Sequence, residues 1–325
     1  MDVKRLSDIE QIDSAGRLRH LLALKGLQRR HLESIIEQAQ RYLTPIGAPP
    51  ARDTVLSGIT VVNLFFEPST RTRASFELAA RRLDADVLSL DVNTSSRAKG
   101  ESVIDTIFTL EAMQADIFVV RDASTGVPAG IARQVAPHVS VLNAGESNVS
   151  HPTQGLLDLM TILLNKGDPA KLCVAIVGDI RHSRVAHSAY EALMHFDVGE
   201  LRRVGPPELL PDEDLFTGAA RLENLDRGLA DADVVMGLRL QKERFAQMSD
   251  IPDPQEYFRR YGLTEERLAA AKPDAIVMHP GPMNRGVEID SATADGPRSV
   301  IRQQVTCGTA VRMAVLAQVS EHVRA

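Results

Sequence analysis

Short apolar runs rich in β-branched residues alternate along the chain with longer amphipathic segments, and this alternation constrains the fold more than any other feature. The runs cover residues 58–66 (GITVVNLFF), 86–91, 116–120, 139–144, 171–178 (KLCVAIVG), 201–205, 233–237 and 274–279. Near-continuous apolar runs of this length mark strands buried on both faces. Helical patterns lie between and around them, at 31–42, 71–83, 102–113, 155–165, 185–196 and 264–271, with a long last one over about 299–323. Repeated strand-then-helix units predict an α/β fold with parallel sheets covered on both sides. A polar, turn-rich stretch at 145–155 (GESNVSHPTQG) interrupts the alternation, with four apolar runs before it and four after. The chain therefore reads as two doubly wound parallel-sheet domains joined by helices. Residues 1–152 form the first and 153–303 the second, and the C-terminal helix, 304–325, packs back on the first.

In open parallel sheets ligands bind outside the carboxyl ends of the strands, so the residues there carry most weight. The first strand runs straight into Glu67, Pro68, Ser69, Thr70, Arg71, Thr72 and Arg73. Pro68 stops the strand, and Ser69 or Thr70 can cap the helix that follows. A helix start alone reads first as an ordinary capped turn. The full Ser-Thr-Arg-Thr-Arg string after a buried strand is more specific. Free N–H groups, hydroxyls and a guanidinium converge there on an anion, and Arg71 can grip phosphate in bidentate fashion. No G-x-x-x-x-G-K-[ST] string occurs and no G-x-G-x-x-G follows a strand. The phosphate is therefore not a nucleotide's.

Composition narrows the class further. The formal net charge is -6, which does not suit a nucleic-acid partner. An anion site in such a chain requires positive charge concentrated locally. Two cysteines, Cys173 and Cys307, stand in unrelated contexts. They exclude a disulfide scaffold or a cysteine-rich metal site and fit a reducing compartment. The N-terminal stretch lacks the apolar core of a secretory signal, and no window is apolar enough for a membrane span. A cytoplasmic protein with no metal or organic cofactor is expected.

The string FFEPSTRTR resembles the carbamoyl-phosphate signature of the aspartate and ornithine carbamoyltransferases, and the resemblance extends from about Leu18 to Val319. It implies that carbamoyl phosphate is held by Ser69, Thr70, Arg71 and Thr72, with Arg121 at the end of the third strand. The segment His151-Pro152-Thr153-Gln154 matches the family's His-Pro-x-Gln string. His151 would donate to the carbamoyl oxygen and Gln154 would hold the carbamoyl amide. Lys99 alone would read as a solvated loop lysine. Its match to a Ser…Lys-Gly-Glu loop implies instead that Ser95 and Lys99 reach the neighbouring subunit's site in a homotrimer, with Glu101 bracing the loop. Ser95 is assigned by counting four residues back from Lys99. Arg71, Thr72, Lys99, Arg121 and His151 form the implied catalytic set.

In the second half Arg184, Arg239 and Gln241 follow strand ends. Asp179 and Glu243 lie near in sequence, so surface salt bridges are the plain reading of these arginines. The resemblance makes Arg184 a ligand for an α-carboxylate. It makes Arg239 and Gln241, helped by Lys99, ligands for a side-chain carboxylate. Gly281 and Pro282, in the stretch His279-Pro280-Gly281-Pro282, would meet carbamoyl phosphate and orient the attacking amine. The ornithine enzymes carry His-Cys-Leu-Pro there, and ornithine's ammonium would require an acidic partner; here Arg239, Gln241 and Lys242 stand instead. The expected reaction transfers the carbamoyl group to L-aspartate, giving N-carbamoyl-L-aspartate and phosphate for pyrimidine (UMP) synthesis. In some relatives an N-terminal extension like this one meets dihydroorotase or a dihydroorotase-like chain. A regulatory chain is neither implied nor excluded.

Overall fold

The computed structural model describes residues 9–91, 102–211, 213–245, 247 and 252–325. The chain packs as two compact units, one of Met1–Leu157 with Thr306–Ala325 and the other of Asp158–Val305.

The first unit holds β1 (Thr60–Phe65), β2 (Asp86–Asp91), β3 (Ile117–Asp122) and β4 (Ser140–Glu146) in a four-stranded parallel sheet of order β2-β1-β3-β4. Its helices are α1 (Arg29–Tyr42), α2 (Thr70–Arg82), α3 (Val103–Ala112) and α4 (Val127–Ala132). The strand period of two sends Val62, Leu64, Phe118, Val120 and Val141 to one side. There they pack with Ile107 and Leu110 of α3 and Ala129 and Ile131 of α4. Fully burying each of the larger of these side chains contributes roughly 1.5–3 kcal/mol. Ser102 caps α3, accepting the Asp105 N–H at 3.1 Å and donating to the Asp105 carboxylate at 2.6 Å.

The helix α5 (Pro152–Lys166) carries the chain from the first unit into the second. Every residue from His151 through Ile162 is buried, as an apolar helix without a polar stripe requires. The second unit has β5 (Cys173–Val177), β6 (Glu200–Val204), β7 (Ala220–Leu222), β8 (Val234–Gly237) and β9 (Ile276–Met278), all parallel, in the order β7-β6-β5-β8-β9. Its helices are α6 (Arg184–Met194), α7 (Leu225–Leu229), α8 (Pro254–Tyr261), α9 (Glu265–Leu268) and α10 (Ser291–Asp295). The last helix, α11 (Ile301–Val323), returns the chain to the first unit, to which its residues from Thr306 onward belong. No helix among the described residues is long and apolar enough to cross a membrane.

The two parallel α/β sheets match the architecture expected from the alternation, with local differences. The 171–178 run starts as a strand only at Cys173, because Pro169–Lys171 forms a short 3-10 turn. The second sheet has a fifth strand, β7, whose sequence ARL is too short and too polar to stand out. The helices α4, α7, α8 and α10 were not expected. Most are short, but α8 carries a readable start: Asp253 accepts from the Gln255 and Glu256 N–H groups, and Pro254 follows it.

Strand order reverses once in each sheet, between β1 and β3 and between β5 and β8. Crevices at such reversals are where doubly wound sheets bind ligands. Packing at the second reversal is close: Gly178, just past β5, has φ +128°, and a Cβ there would stand 2.6 Å from the Leu238 carbonyl oxygen. Only glycine fits that approach.

Candidate active site

The first reversal brings together the ends of β1 and β3. The chain leaves β1 through Glu67 and Pro68 and enters α2 at Thr70. Ser69 precedes the helix in an extended conformation, its hydroxyl makes no capping hydrogen bond, and no acidic residue stands in the first turn. The helix therefore presents backbone N–H groups and the positive end of its dipole without a carboxylate in its own first turn. Arg71 is exposed beside this end and Thr72 is buried. Cations at a helix N-terminus oppose the dipole, so an anion placed there relieves both.

Arg121, the penultimate residue of β3, lies across the reversal. Its Nη1 donates to the Ala144 carbonyl at 3.2 Å, and its Nη2 pairs with the Glu67 carboxylate. The Phe66 N–H donates to the Arg121 carbonyl at 2.9 Å, tying the two strand ends together. Sequence reasoning did not assign this role to Glu67. Beyond β4, the turn at 146–150 is closed by the Glu146 N–H donating to the Ser150 carbonyl at 2.9 Å, and it delivers His151 to the start of α5. His151, Thr153 and Gln154 are all buried.

Glu146 braces this turn and was also missed. Its carboxylate accepts from the Gly126 N–H and, at 3.2 Å, from the Asn143 amide. Burial, followed by the nearby Asp122 charge, pushes its carboxyl above the usual range. A carboxylate two residues after the strand run VSVLNA was the available signal.

The second reversal joins the ends of β5 and β8. Asp179 follows Gly178 and is fully buried. It accepts from the His182 ring at 2.8 Å and from the Gln241 N–H at 3.1 Å, stitching the two loops together. Burial raises its carboxyl against the lowering effect of these bonds. Arg184 is the first residue of α6 and is buried, with Ser183 capping the helix through the Ala186 N–H at 3.2 Å. It puts a buried positive charge at a positive helix end, again an arrangement that an anion stabilises. Arg239 donates to the Gln241 side chain at 3.1 Å, and Arg244 donates to the His182 carbonyl at 2.6 Å. The His182 ring packs on Phe245 with centroids 4.8 Å apart.

Residues 19–163 match the carbamoyl-P binding domain of aspartate/ornithine carbamoyltransferases, and residues 170–319 match the family's Asp/Orn binding domain. The chain belongs to the aspartate/ornithine carbamoyltransferase family.

Solved carbamoyltransferases align over nearly the whole chain. The aspartate transcarbamoylase of Trypanosoma cruzi in complex with carbamoyl phosphate and aspartate is 31% identical, with a TM-score of 0.81, over 93% of this chain and 96% of that one. The same enzyme with aspartate and phosphate gives 29% and 0.81 over the same shares. The ornithine carbamoyltransferase of Thermus thermophilus is 25% identical, with a TM-score of 0.79, over 92% of this chain and 98% of that one. Within this carbamoyltransferase, the first reversal brings together Ser69, Thr70, Arg71, Thr72 and Arg121, with His151 and Gln154 at the start of α5. In the second unit Arg184, Arg239 and Gln241 gather at one reversal and Gly281 and Pro282 follow β9. Ser95 and Lys99 lie outside the described residues, as does Glu101. Among the described residues no cluster of histidine, cysteine, aspartate and glutamate is arranged to hold a metal ion.

Proposed function

We propose that this carbamoyltransferase uses L-aspartate as its second substrate, making N-carbamoyl-L-aspartate and phosphate. The observation that carries this reading is the placement of Arg184, first residue of α6 after β5, and Arg239, just past β8, at the two strand ends of the β5–β8 reversal. Two guanidiniums suit a substrate with two carboxylates. The buried carboxylate at the β5 end of this reversal, Asp179, is already engaged by His182 and the Gln241 N–H. An ornithine ammonium would find repulsion there. Neither cysteine serves the ornithine-type string, since Cys173 opens β5 and Cys307 lies in α11.

In the proposed reaction, Ser69, Thr70, Arg71 and the α2 N–H groups hold the phosphate of carbamoyl phosphate, joined by Ser95 and Lys99 of a neighbouring subunit. Thr72, Arg121 and His151 bind the carbonyl oxygen and Gln154 the carbamoyl amide, while the backbone at Gly281 and Pro282 orients the amine. The aspartate amine attacks the carbamoyl carbon and forms a C–N bond. The tetrahedral oxyanion is stabilised by Thr72, Arg121 and a neutral His151. The C–O bond to phosphate then breaks, and the leaving phosphate takes the amine's proton. Holding two reactants in register supplies much of the acceleration.

A homotrimer with shared sites follows from the roles given to Ser95 and Lys99. It is supported by β2, an edge strand that precedes Ser95 and Lys99 in the chain. On the same side of the sheet, Leu88 of β2 and Phe108 of α3 are 40% and 45% exposed. The reading assigns the enzyme to pyrimidine synthesis in the cytoplasm and extends to a dihydroorotase-like partner.

A colorimetric assay with carbamoyl phosphate and either amino acid tests the substrate. Carbamoyl-aspartate should form with aspartate and no citrulline with ornithine. Citrulline, or no product from either, would overturn the reading.

A further inference from the structure

The second unit buries an imidazole and a carboxylate for which the proposed reaction has no use. His279, the residue after Met278 of β9, is 1% exposed, and Glu288 is 2% exposed. Ionisable groups are seldom kept so deep without a polar task, because each must be desolvated. Here the task is visible. The Gly281 N–H donates to His279 Nδ1 at 2.9 Å. A ring nitrogen that accepts carries no proton, so in the neutral ring the proton sits on Nε2. That nitrogen faces Glu288 Oε1 at 3.4 Å. The same carboxylate oxygen accepts the Asn284 N–H.

One imidazole and one carboxylate therefore fix the backbone on both sides of Pro282. The His279 backbone is itself pinned. Its N–H donates to the Gln304 side chain at 3.0 Å, and Gln304 donates to Asp158 at 2.6 Å. Met283 and Val287 pack against the core of the unit, so the loop is anchored at its apolar side chains as well.

We propose that His279 and Glu288 act as a buried positioning pair that fixes the 280–284 backbone and thereby orients the amine of the second substrate. This rests on the aspartate reading given above, in which the backbone at Gly281 and Pro282 meets the reacting groups. Neither side chain is catalytic; both act through the loop.

Three variants separate positioning from packing. His279→Leu keeps an apolar volume and removes both polar contacts. His279→Asn can still accept the N–H two residues on, as an Asx turn does, and loses only the approach to Glu288. Glu288→Gln keeps an acceptor for Asn284. Steady-state rates against aspartate should show kcat/KM reduced about tenfold or more in His279→Leu, the scale of one lost anchoring bond. His279→Asn and Glu288→Gln should recover much of that loss. Inhibition by inorganic phosphate, which reads the Ser69–Arg71 half, should stay unchanged in all three.

A wild-type kcat/KM in His279→Leu would overturn the pair. So would losses in Leu and Asn that only track a fall in melting temperature. If His279→Leu does not fold, His279→Ala and Glu288→Ala, which likewise remove the acceptors for the Gly281 and Asn284 N–H groups, carry the test, and wild-type aspartate kinetics in both overturn the pair. A wild-type enzyme silent with aspartate would instead overturn the substrate reading, before any variant is compared.

Discussion

Arg71 stands exposed at the start of α2 and makes the simplest test of the phosphate half. An exposed side chain can be truncated at little cost to folding, within about 0.5 kcal/mol. A guanidinium on the departing phosphate acts where charge develops, and losing one such donor costs on the order of 10² to 10³ in turnover. Arg71→Ala should therefore melt within a degree or two of wild type while its carbamoyl-aspartate rate collapses. A near-normal rate would remove Arg71 from the phosphate site. The cations at strand ends were readable because a basic string directly after a buried strand gathers like charges that only an anion makes comfortable. Their partners were not. That Glu67 pairs with Arg121, or that Asp179 holds the Gln241 N–H, depends on which strands lie side by side. Residues over 50 positions apart in sequence meet only once the sheet order is known.

The segment that precedes α1 docks on β4, and a buried histidine makes that docking sensitive to acid. The Leu21 N–H donates to the Val141 carbonyl at 3.0 Å, and the Val141 N–H donates to His20 Nδ1 at 3.0 Å. Burial, then the charges of Arg19 and His322, lower the His20 pKa from 6.5 to about 3. The unfolded chain thus takes up a proton below pH 6.5 that the folded chain refuses until about pH 3. The contribution of His20 is complete above pH 6.5 and is lost as pH falls between those values. At about 1.4 kcal/mol per unit, that amounts to several kcal/mol. Most carboxylates titrate lower and the other histidines are common to both proteins, so over the stretch from about pH 6.5 to 5 the difference in slope between wild type and a His20 variant reads His20. His20→Asn keeps an acceptor for Val141 and cannot charge, so its melting temperature should fall less across that stretch. Circular-dichroism melts at about pH 7.5, 6.5, 5.5 and 5 read this directly, and parallel slopes for both proteins would exclude His20 as the source. This docking was invisible in the sequence, where the segment carries no periodic pattern. The core strands and α5 were legible because burial on all sides enforces unbroken apolar runs. The edge strand β7 was not, since an edge needs few apolar residues.

At the scale of the whole molecule, the net charge of -6 says little about the ligands, since the arginines that matter are gathered at two strand reversals. Each unit contributes one such reversal, which gives each proposed substrate its own half. The remaining segment, which carries Ser95 and Lys99, would make assembly part of catalysis in the proposed homotrimer. If Lys99 works in the neighbouring subunit's site, Lys99→Ala and His151→Ala damage every site in their own homotrimers, and each protein alone should be nearly inactive. After mixing and subunit exchange, any closed ring containing both kinds of subunit has one junction where an intact His151 meets an intact Lys99. The other two junctions lack one or both. Random exchange of equal amounts makes about three quarters of the trimers mixed, so roughly a quarter of wild-type activity per chain should return. A double variant carrying both changes on one chain, mixed with wild type, controls for exchange itself. Exchange verified by mass with no recovered activity would show that each subunit completes its own site, and Lys99 would then have to act within its own chain.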